Sequence, residues 1–461
     1  MKLNRIMIAA PKSGSGKTMI TCALLQALKN RGIAAVSYKC GPDYIDPMFH
    51  KTVLDIPSKN LDTFFTDEVQ TRSLFLKDRT EADFAVLEGV MGLYDGLGGV
   101  REEGSSYHLA KVTRTPIILV VDAKGMGKSV AALVAGFLFY DTEHLIKGVI
   151  LNRMSKGYFD ILKPILEQEL GIQVLGYFPE NKTIKLESRH LGLRMPMEIA
   201  DIREQLKLVS EALEKTAAVE TIVKLGVEAE PIEGCGAKNS VYHFYEKSPV
   251  IAVARDEAFC FYYDDNLRLL EEYGASLQYF SPIHDEALPE NCAGILLGGG
   301  YPELYASELS ANKTMRNSIR EYVKSGIPTV AECGGFMYLH SAIVDQNGER
   351  YEMADVLPGT CSYKGKLVRF GYIKLTEKKS HFLPDGTSIC AHEFHYFDSS
   401  DNGENCTALK PVTGKSYPCV ITGATYWLGF PHLYYPSNPE FARRFVELTR
   451  DYQKNKMHTI L

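Results

Sequence analysis

The chain has 461 residues, 45% of them hydrophobic and 23% charged, with a formal net charge of -6. That length predicts two to four domains with sizeable cores, and the composition excludes disordered, collagen-like and coiled-coil classes. The acidic balance argues against a dedicated nucleic-acid binder, which needs surplus Lys and Arg to face phosphates. The ten cysteines, at 22, 40, 235, 260, 292, 333, 361, 390, 406 and 419, form no Cys-x-x-Cys pair, so neither a zinc ribbon nor a secreted disulfide scaffold is expected. The apolar run 130–140 falls short of the roughly 20 residues a bilayer span needs, and 6–10 is too short for a signal-peptide core. The expected setting is the cytoplasm, without membrane or nucleic-acid partners.

In chain order, a β-branched strand at 5–10 leads into a helix at 18–31 with apolar positions Ile20, Ala23, Leu24, Ala27 and Leu28. Buried strands are predicted at 34–39, 84–88, 116–122, 147–152 and 173–178, with room for crossover helices between them. The pattern implies a mostly parallel sheet covered on both faces. From 197 to 224 the chain reads as charged and helical, and 225–247 as a polar linker. A second α/β series begins at 250–254 and continues at 275–279, 294–297 and 328–331. The expected organisation is therefore a P-loop domain over 1–196, a helical segment and linker over 197–247, and a second α/β domain over 248–461.

The segment Pro11-Lys12-Ser13-Gly14-Ser15-Gly16-Lys17-Thr18 lies between a predicted strand and a predicted helix, the context a P-loop requires. Backbone N–H groups freed by the glycines turn toward phosphate oxygens, Lys17 reaches the β and γ phosphates, and the Thr18 hydroxyl is placed to ligate magnesium. Pro11 replaces the usual first Gly, and Lys12 stands where partition-type ATPases carry an extra lysine. Glu88 ends the apolar strand 84–88 at the carboxyl edge, where open α/β sheets bind ligands, which makes it a metal-ligand candidate. Asp122 ends a neighbouring strand in the same way, with a turn-capping role as the alternative. Asn152 is a candidate reader of adenine, or a turn residue. Cys40-Gly-Pro-Asp43-Tyr44-Ile-Asp46-Pro-Met-Phe-His50 and Gly89-Val-Met-Gly-Leu-Tyr-Asp95-Gly96 supply two further acidic loops, for an acceptor carboxylate or the metal.

Near the other end, the predicted strand 328–331 runs into Glu-Cys333-Gly334-Gly335 and a helix-like 336–341. A cysteine on such an elbow, close to a helix N-terminus, is expected to have a lowered thiol pKa. The N–H of Gly334 and those of the glycine-rich strand end at Gly299 and Gly300 are candidate oxyanion donors. His432, in a strand-like segment, is the candidate base. The remaining cysteines read as small buried hydrophobes. His392-Glu-Phe-His395 lacks a residue for the zinc-helix motif, and on a strand its histidines face opposite sides.

With both sites in view, the chain resembles the cobyrinate a,c-diamide synthases, glutamine-dependent amidotransferases of corrin biosynthesis, over essentially its full length. The resemblance rests on Ser13-Gly-Ser-Gly-Lys-Thr18, Cys40-Gly-Pro-Asp-Tyr-Ile-Asp-Pro47, Glu88-Gly-Val-Met-Gly-Leu-Tyr-Asp-Gly96, Ala252-Val-Ala-Arg-Asp-Glu-Ala-Phe259, Leu297-Gly-Gly-Gly-Tyr-Pro-Glu303, Ala331-Glu-Cys-Gly-Gly335 and His392-Glu-Phe-His-Tyr396. It implies a dethiobiotin-synthetase-like parallel-sheet domain followed by a class I glutamine-amidotransferase-like α/β domain. Cys333 is then the glutaminase nucleophile and His432 its base; Thr18, Asp43 and Glu88 are metal ligands; Asp43, Tyr44, Asp46 and Asp95 lie near the acceptor. ATP and Mg2+ are the implied cofactors, glutamine and cobyrinate the substrates, and a homodimer is left open. The first domain would phosphorylate a substrate carboxylate, and ammonia released at Cys333 would pass internally to that acyl phosphate.

One departure stands out: ordinary class I glutaminases carry a Glu two residues after the His, and here that place is Tyr434. Hydrogenobyrinate and nickel-sirohydrochlorin are alternative substrates for the same chemistry, and a partner-recruiting P-loop switch ATPase is the alternative of a different class. Tyr44, Tyr262, Tyr263 and Tyr396 are candidates for packing against a flat macrocycle.

Overall fold

The computed structural model describes residues 3–77, 82–180, 188–189, 192–193, 202–232 and 248–460. The chain divides into two compact units, Met1–Lys238 and Asn239–Leu461.

The first unit is built on seven parallel strands: β1 (Asn4–Ala9), β2 (Ala35–Cys40), β3 (Ser58–Leu61), β4 (Phe84–Glu88), β5 (Ile117–Asp122), β6 (Ile146–Asn152) and β7 (Gln173–Phe178). Their spatial order is β3-β2-β4-β1-β5-β6-β7, and each neighbouring pair is parallel. Nearly every strand residue is buried, as expected for a sheet shielded on both faces by its crossovers. Helix α1 (Lys17–Asn30) buries Ile20, Ala23, Leu24, Ala27 and Leu28, the apolar face expected from sequence. The short edge strand β3, whose Ser-Lys-Asn-Leu sequence carries little β signal, was not anticipated.

The helical stretch expected as one segment is two helices, Ile202–Thr216 and Val219–Val227. The break has a specific cause: Ala217 bridges to Gly176 on β7, and the Ala218 N–H donates to the Leu175 carbonyl at 2.7 Å. The Ala218 N–H is thus spent on the sheet rather than on the helix ladder, which ends with the Ala217 N–H on the Leu213 carbonyl. Nor are residues 225–232 a linker. Gly226 packs so closely on Phe84 that a Cβ would lie 2.3 Å from its ring, and the buried Arg5 guanidinium donates to the Glu230 carbonyl at 2.5 Å. These helices and the turn after them belong to the first unit; the rest of the expected linker, 233–247, lies outside the described residues.

The second unit contains a six-stranded sheet ordered Ser276–Phe280, Val250–Ala254, Cys292–Leu297, Thr329–Glu332, Tyr426–Gly429, Ile421–Thr422. The first five strands are parallel and the last pairs antiparallel. An antiparallel five-stranded sheet follows, in the order Ser416–Cys419, Cys406–Leu409, Arg369–Glu377, Ser388–His395, His432–Leu433. This sheet was not foreseen from the sequence, where only the α/β series stood out. Its Ser388–His395 strand alternates half-buried and buried residues along its whole length, the period-2 signature of a sheet with two unlike faces.

Candidate functional sites

In the first unit the turn from β1 into α1 forms the phosphate cradle. Gly14 and Gly16 adopt φ of 74° and 96°, conformations that L side chains avoid. Gly16 has a second reason to be glycine, because a Cβ there would sit 2.2 Å from the Asn152 side-chain nitrogen. Asn152 donates through Nδ2 to the Ser15 carbonyl at 2.7 Å, and its Oδ1 accepts from the Arg153 N–H at 2.9 Å. The residue expected to read adenine thus also braces the loop, and it keeps a second amide hydrogen and a second Oδ1 lone pair beyond these two bonds. Asp122 accepts from the Arg153 guanidinium at 2.8 Å, while the same guanidinium donates to the Gly14 carbonyl at 2.7 Å. Ser15 Oγ closes the loop on the Lys12 carbonyl. Lys12 and Ser13 are exposed, and Lys17 is buried with its ammonium on the Met91 and Lys12 carbonyls. Burial and the Lys39 charge lower Lys17 to about 8, against the attraction of Glu88, Asp46 and Asp95.

The acidic groups converge as expected, around a cation that was not singled out from the sequence. Lys39, near the end of β2, places its ammonium 2.9 Å from Glu88 Oε1, 2.5 Å from Asp46 Oδ2 and 4.0 Å from Asp43 Oδ2. A lysine inside an otherwise buried strand, just before Cys40-Gly-Pro, was the signal available. Thr18 Oγ1 donates to Glu88 Oε1 at 2.6 Å. Burial pushes the Glu88 carboxyl up, and burial together with the Asp46 charge pushes Asp43 up. Asp43 Oδ1 also accepts from the Ile45 N–H, and Asp95 Oδ2 from the Gly92 N–H. Tyr44 directly precedes the helix Ile45–Leu54 and is half-buried. One observation bears on a metal at this corner: Glu88 Oε2 is buried without a hydrogen-bond partner, 3.8 Å from His50 Nε2, while Oε1 of the same carboxylate takes the Thr18 hydroxyl.

In the second unit Cys333 joins the strand Thr329–Glu332 to the short helix Gly334–Leu339 with φ 47° and ψ -104°, a strained backbone for a non-glycine residue. Gly335 N–H donates to the Gly298 carbonyl at 2.9 Å, and a Cβ on Gly334 would lie 3.3 Å from the Gly300 nitrogen. The two predicted sources of oxyanion donors are therefore adjacent. Gly299 supports the imidazole of His432 so closely that a Cβ would meet its Cε1 at 2.3 Å. Tyr262 anchors the glycine strand: it accepts from the Gly298 N–H at 2.9 Å, and its own hydroxyl donates to the Ala254 carbonyl. The expectation of a lowered thiol pKa is corrected. Burial pushes the Cys333 thiol up, with the Glu303 and Glu332 charges adding to it, and the Gly334 N–H only partly offsets them. Burial likewise lowers His432 to about 3. Burial thus shifts both groups toward their neutral forms.

Tyr434, in the place of the usual third member, donates its hydroxyl to Asp265 at 2.9 Å. His392 and His395 fall on opposite faces of their strand, as expected. Cys22, Cys40, Cys292, Cys361, Cys406 and Cys419 are buried, but Cys260 and Cys390 are only half-buried, and Cys235 lies outside the described residues. Among the described residues no helix is long and apolar enough to cross a membrane.

A P-loop unit followed by a unit with a cysteine elbow defines an ATP-using, glutamine-dependent amidotransferase. Comparison with known proteins agrees in both halves: residues 6–193 match the CobQ/CobB/MinD/ParA nucleotide binding domain, and residues 250–425 match the CobB/CobQ-like glutamine amidotransferase domain. Cobyrinate a,c-diamide synthase of Dehalococcoides mccartyi strain CBDB1 is 36% identical, with 98% of this chain and 99% of that protein covered. The enzyme of the same name from Caldanaerobacter subterraneus is 38% identical over 96% and 97%, and that of Listeria innocua 41% identical over 86% and 87%. The chain belongs to the cobyrinate a,c-diamide synthase family.

Proposed function

We propose that the protein amidates the a and c side-chain carboxylates of cobyrinate, activating each with ATP and drawing ammonia from glutamine. The observation that carries this reading is the presence in one chain of a braced P-loop facing Glu88, Asp46 and Lys39, and of an elbow cysteine whose following glycine approaches Gly300 while the adjacent Gly299 abuts His432. A carboxylate is a poor acyl donor, so the γ-phosphoryl group is transferred to one of its oxygens, giving an acyl phosphate and ADP. Lys17 leaves the Met91 carbonyl to meet the phosphates, and Lys39 offsets the negative charge gathered by phosphoryl group and acceptor. Thr18, Glu88 and Asp43 would hold magnesium, which neutralises phosphate charge when bound.

In the second unit His432 takes the Cys333 proton as sulfur attacks the glutamine amide carbon, and the N–H groups of Gly334 and of Gly299 or Gly300 bind the oxyanion. The C–N bond breaks with that proton transferred to nitrogen, releasing ammonia. Water then hydrolyses the thioester to glutamate. Ammonia displaces phosphate from the acyl phosphate and leaves an amide.

The test is to incubate the protein with ATP, magnesium, glutamine and each candidate tetrapyrrole, and to count the amides added by mass. Two amides on cobyrinate are expected. Cys333→Ala should lose glutamine-dependent amidation and keep it with ammonium; loss of both would overturn the division of labour. Hydrogenobyrinate or nickel-sirohydrochlorin accepted in preference to cobyrinate would reassign the substrate and leave the chemistry standing.

A further inference from the structure

His432 has no carboxylate two residues on, yet a buried carboxylate stands close by. Glu393, 1% exposed, lies on the strand Ser388–His395, whose neighbour in the sheet is His432–Leu433, with His392 paired to His432. Its Oε1 is 3.9 Å from His395 Nε2, too long for a hydrogen bond but within ion-pair range. His395 Nδ1 lies 2.6 Å from the Phe397 carbonyl, which can only accept, so that nitrogen carries a proton. The other ring nitrogen is buried without a hydrogen-bond partner and faces Glu393. The His395 ring stacks on Phe430 at 4.0 Å and 6°, and Phe430 precedes His432 by two residues. A chain of contacts therefore runs from carboxylate to imidazole to the segment that carries the base.

Glu393 is held ionised despite its burial. Burial alone would push it up, but His395, the Tyr417 hydroxyl that donates to it, and Arg369 together bring it below the usual carboxylate range. Lys410 adds an ammonium at 3.7 Å, and the Arg369 guanidinium lies over the Tyr417 ring. Glu393 bears on both reacting groups: it favours the protonated form of the His432 imidazole, and with Glu303 and Glu332 it raises the Cys333 thiol. An unneeded buried charge is costly, and here its favourable use is to offset, from the opposite face of the strand, a positive charge that appears only during reaction.

We propose that Glu393, acting through His395, is the positioning carboxylate of the glutaminase site: it holds the His432 segment and balances the imidazolium formed when His432 accepts the Cys333 proton. It takes over the duty left vacant by Tyr434. The inference rests on the assignment of Cys333 and His432 as nucleophile and base.

The experiment uses the full chain with Glu393→Gln, His395→Gln and Cys333→Ala. Glutamate release gives kcat and KM, ammonium-dependent amidation checks the fold, and iodoacetamide labelling of Cys333 is followed against pH. Glu393→Gln is expected to lower kcat for glutamine roughly 10- to 100-fold, the range seen when a partner orienting a functional side chain is lost, with KM nearly unchanged. The labelling profile should move to lower pH, because a negative charge that raises the thiol has been removed. A purely structural role would change KM together with kcat, so the unchanged KM is what separates the two.

Wild-type kcat and an unshifted profile in Glu393→Gln would overturn the proposal. If that variant loses ammonium-dependent amidation as well, His395→Gln decides, with wild-type kcat counting against the proposal. Collapse of both variants would also overturn it, since Glu393 would then be a fold determinant. If Cys333→Ala still hydrolyses glutamine, it is the underlying assignment that fails.

Discussion

Gly299→Ala is a sharp test of the glutaminase geometry, because the backbone there does not require glycine and the three atoms nearest an added methyl all belong to the base. Gly299 is not among the residues with positive φ. An added methyl would meet His432 Cε1 at 2.3 Å, Nδ1 at 3.2 Å and Nε2 at 3.3 Å. Ordinary van der Waals contact starts near 3.4 Å, so the imidazole must retreat by about 1 Å. His432 is 3% exposed, and in a close-packed interior such a shift is passed on rather than absorbed. A misplacement of about 1 Å costs roughly 100-fold in rate. The expected result is a fall of about that size in glutamine-dependent amidation, with ammonium-dependent amidation unchanged. Gly157→Ala, a helical position with open space around the added methyl, is the matched control and should leave both activities intact. Wild-type glutamine use in Gly299→Ala would refute the placement of His432 against the glycine strand.

Lys17→Ala should abolish ATP-dependent amidation with either nitrogen source, measured as amides formed, while glutamate release at Cys333 persists. Gly16→Ala forces a side chain into φ 96° and against Asn152; fluorescent-nucleotide titration should show at least a 10-fold loss of affinity, since about 1.4 kcal/mol of backbone strain already accounts for that factor. Acid should destabilise the second unit through its buried histidines. His432 and His392 are each lowered from 6.5 to about 3 by burial. Between those values the unfolded chain binds more protons, so their contribution is complete above about pH 6.5 and is lost as pH falls toward 3. A tenfold difference in proton affinity between folded and unfolded chain is worth about 1.4 kcal/mol, so denaturant midpoints should drop steeply over that window, and the double variant His392→Gln with His432→Gln should flatten the slope.

The parallel strands and the P-loop were legible because their signals are local: a run of β-branched residues, then Gly and Lys-Thr at a fixed spacing. Cys333, with Gly334 behind it and Gly299–Gly300 opposite, was legible for the same reason. Less visible were the residues whose meaning depends on distant neighbours. Lys39 reads as a lysine at a strand end until Asp46 and Glu88 are folded around it. Asn152 and Asp122 read from sequence either as ligand contacts or as turn residues at strand ends; their bonds to the Ser15 carbonyl and the Arg153 guanidinium, which support the loop, depend on partners far away in the chain. The thiol pKa was misjudged because a helix N-terminus can be read from sequence while burial and three surrounding carboxylates cannot. The antiparallel sheet around Glu393 was missed because its strands mix charged and apolar residues, with only the period-2 burial of Ser388–His395 to betray them.

The burial of Cys333 bears on how the protein survives between turnovers. Peroxides and alkylating metabolites attack thiolates, and susceptibility to them follows thiolate character and exposure. Burial and the acidic surroundings that raise the Cys333 thiol disfavour both, so the same elbow that positions the cysteine for glutamine limits what stray electrophiles can reach.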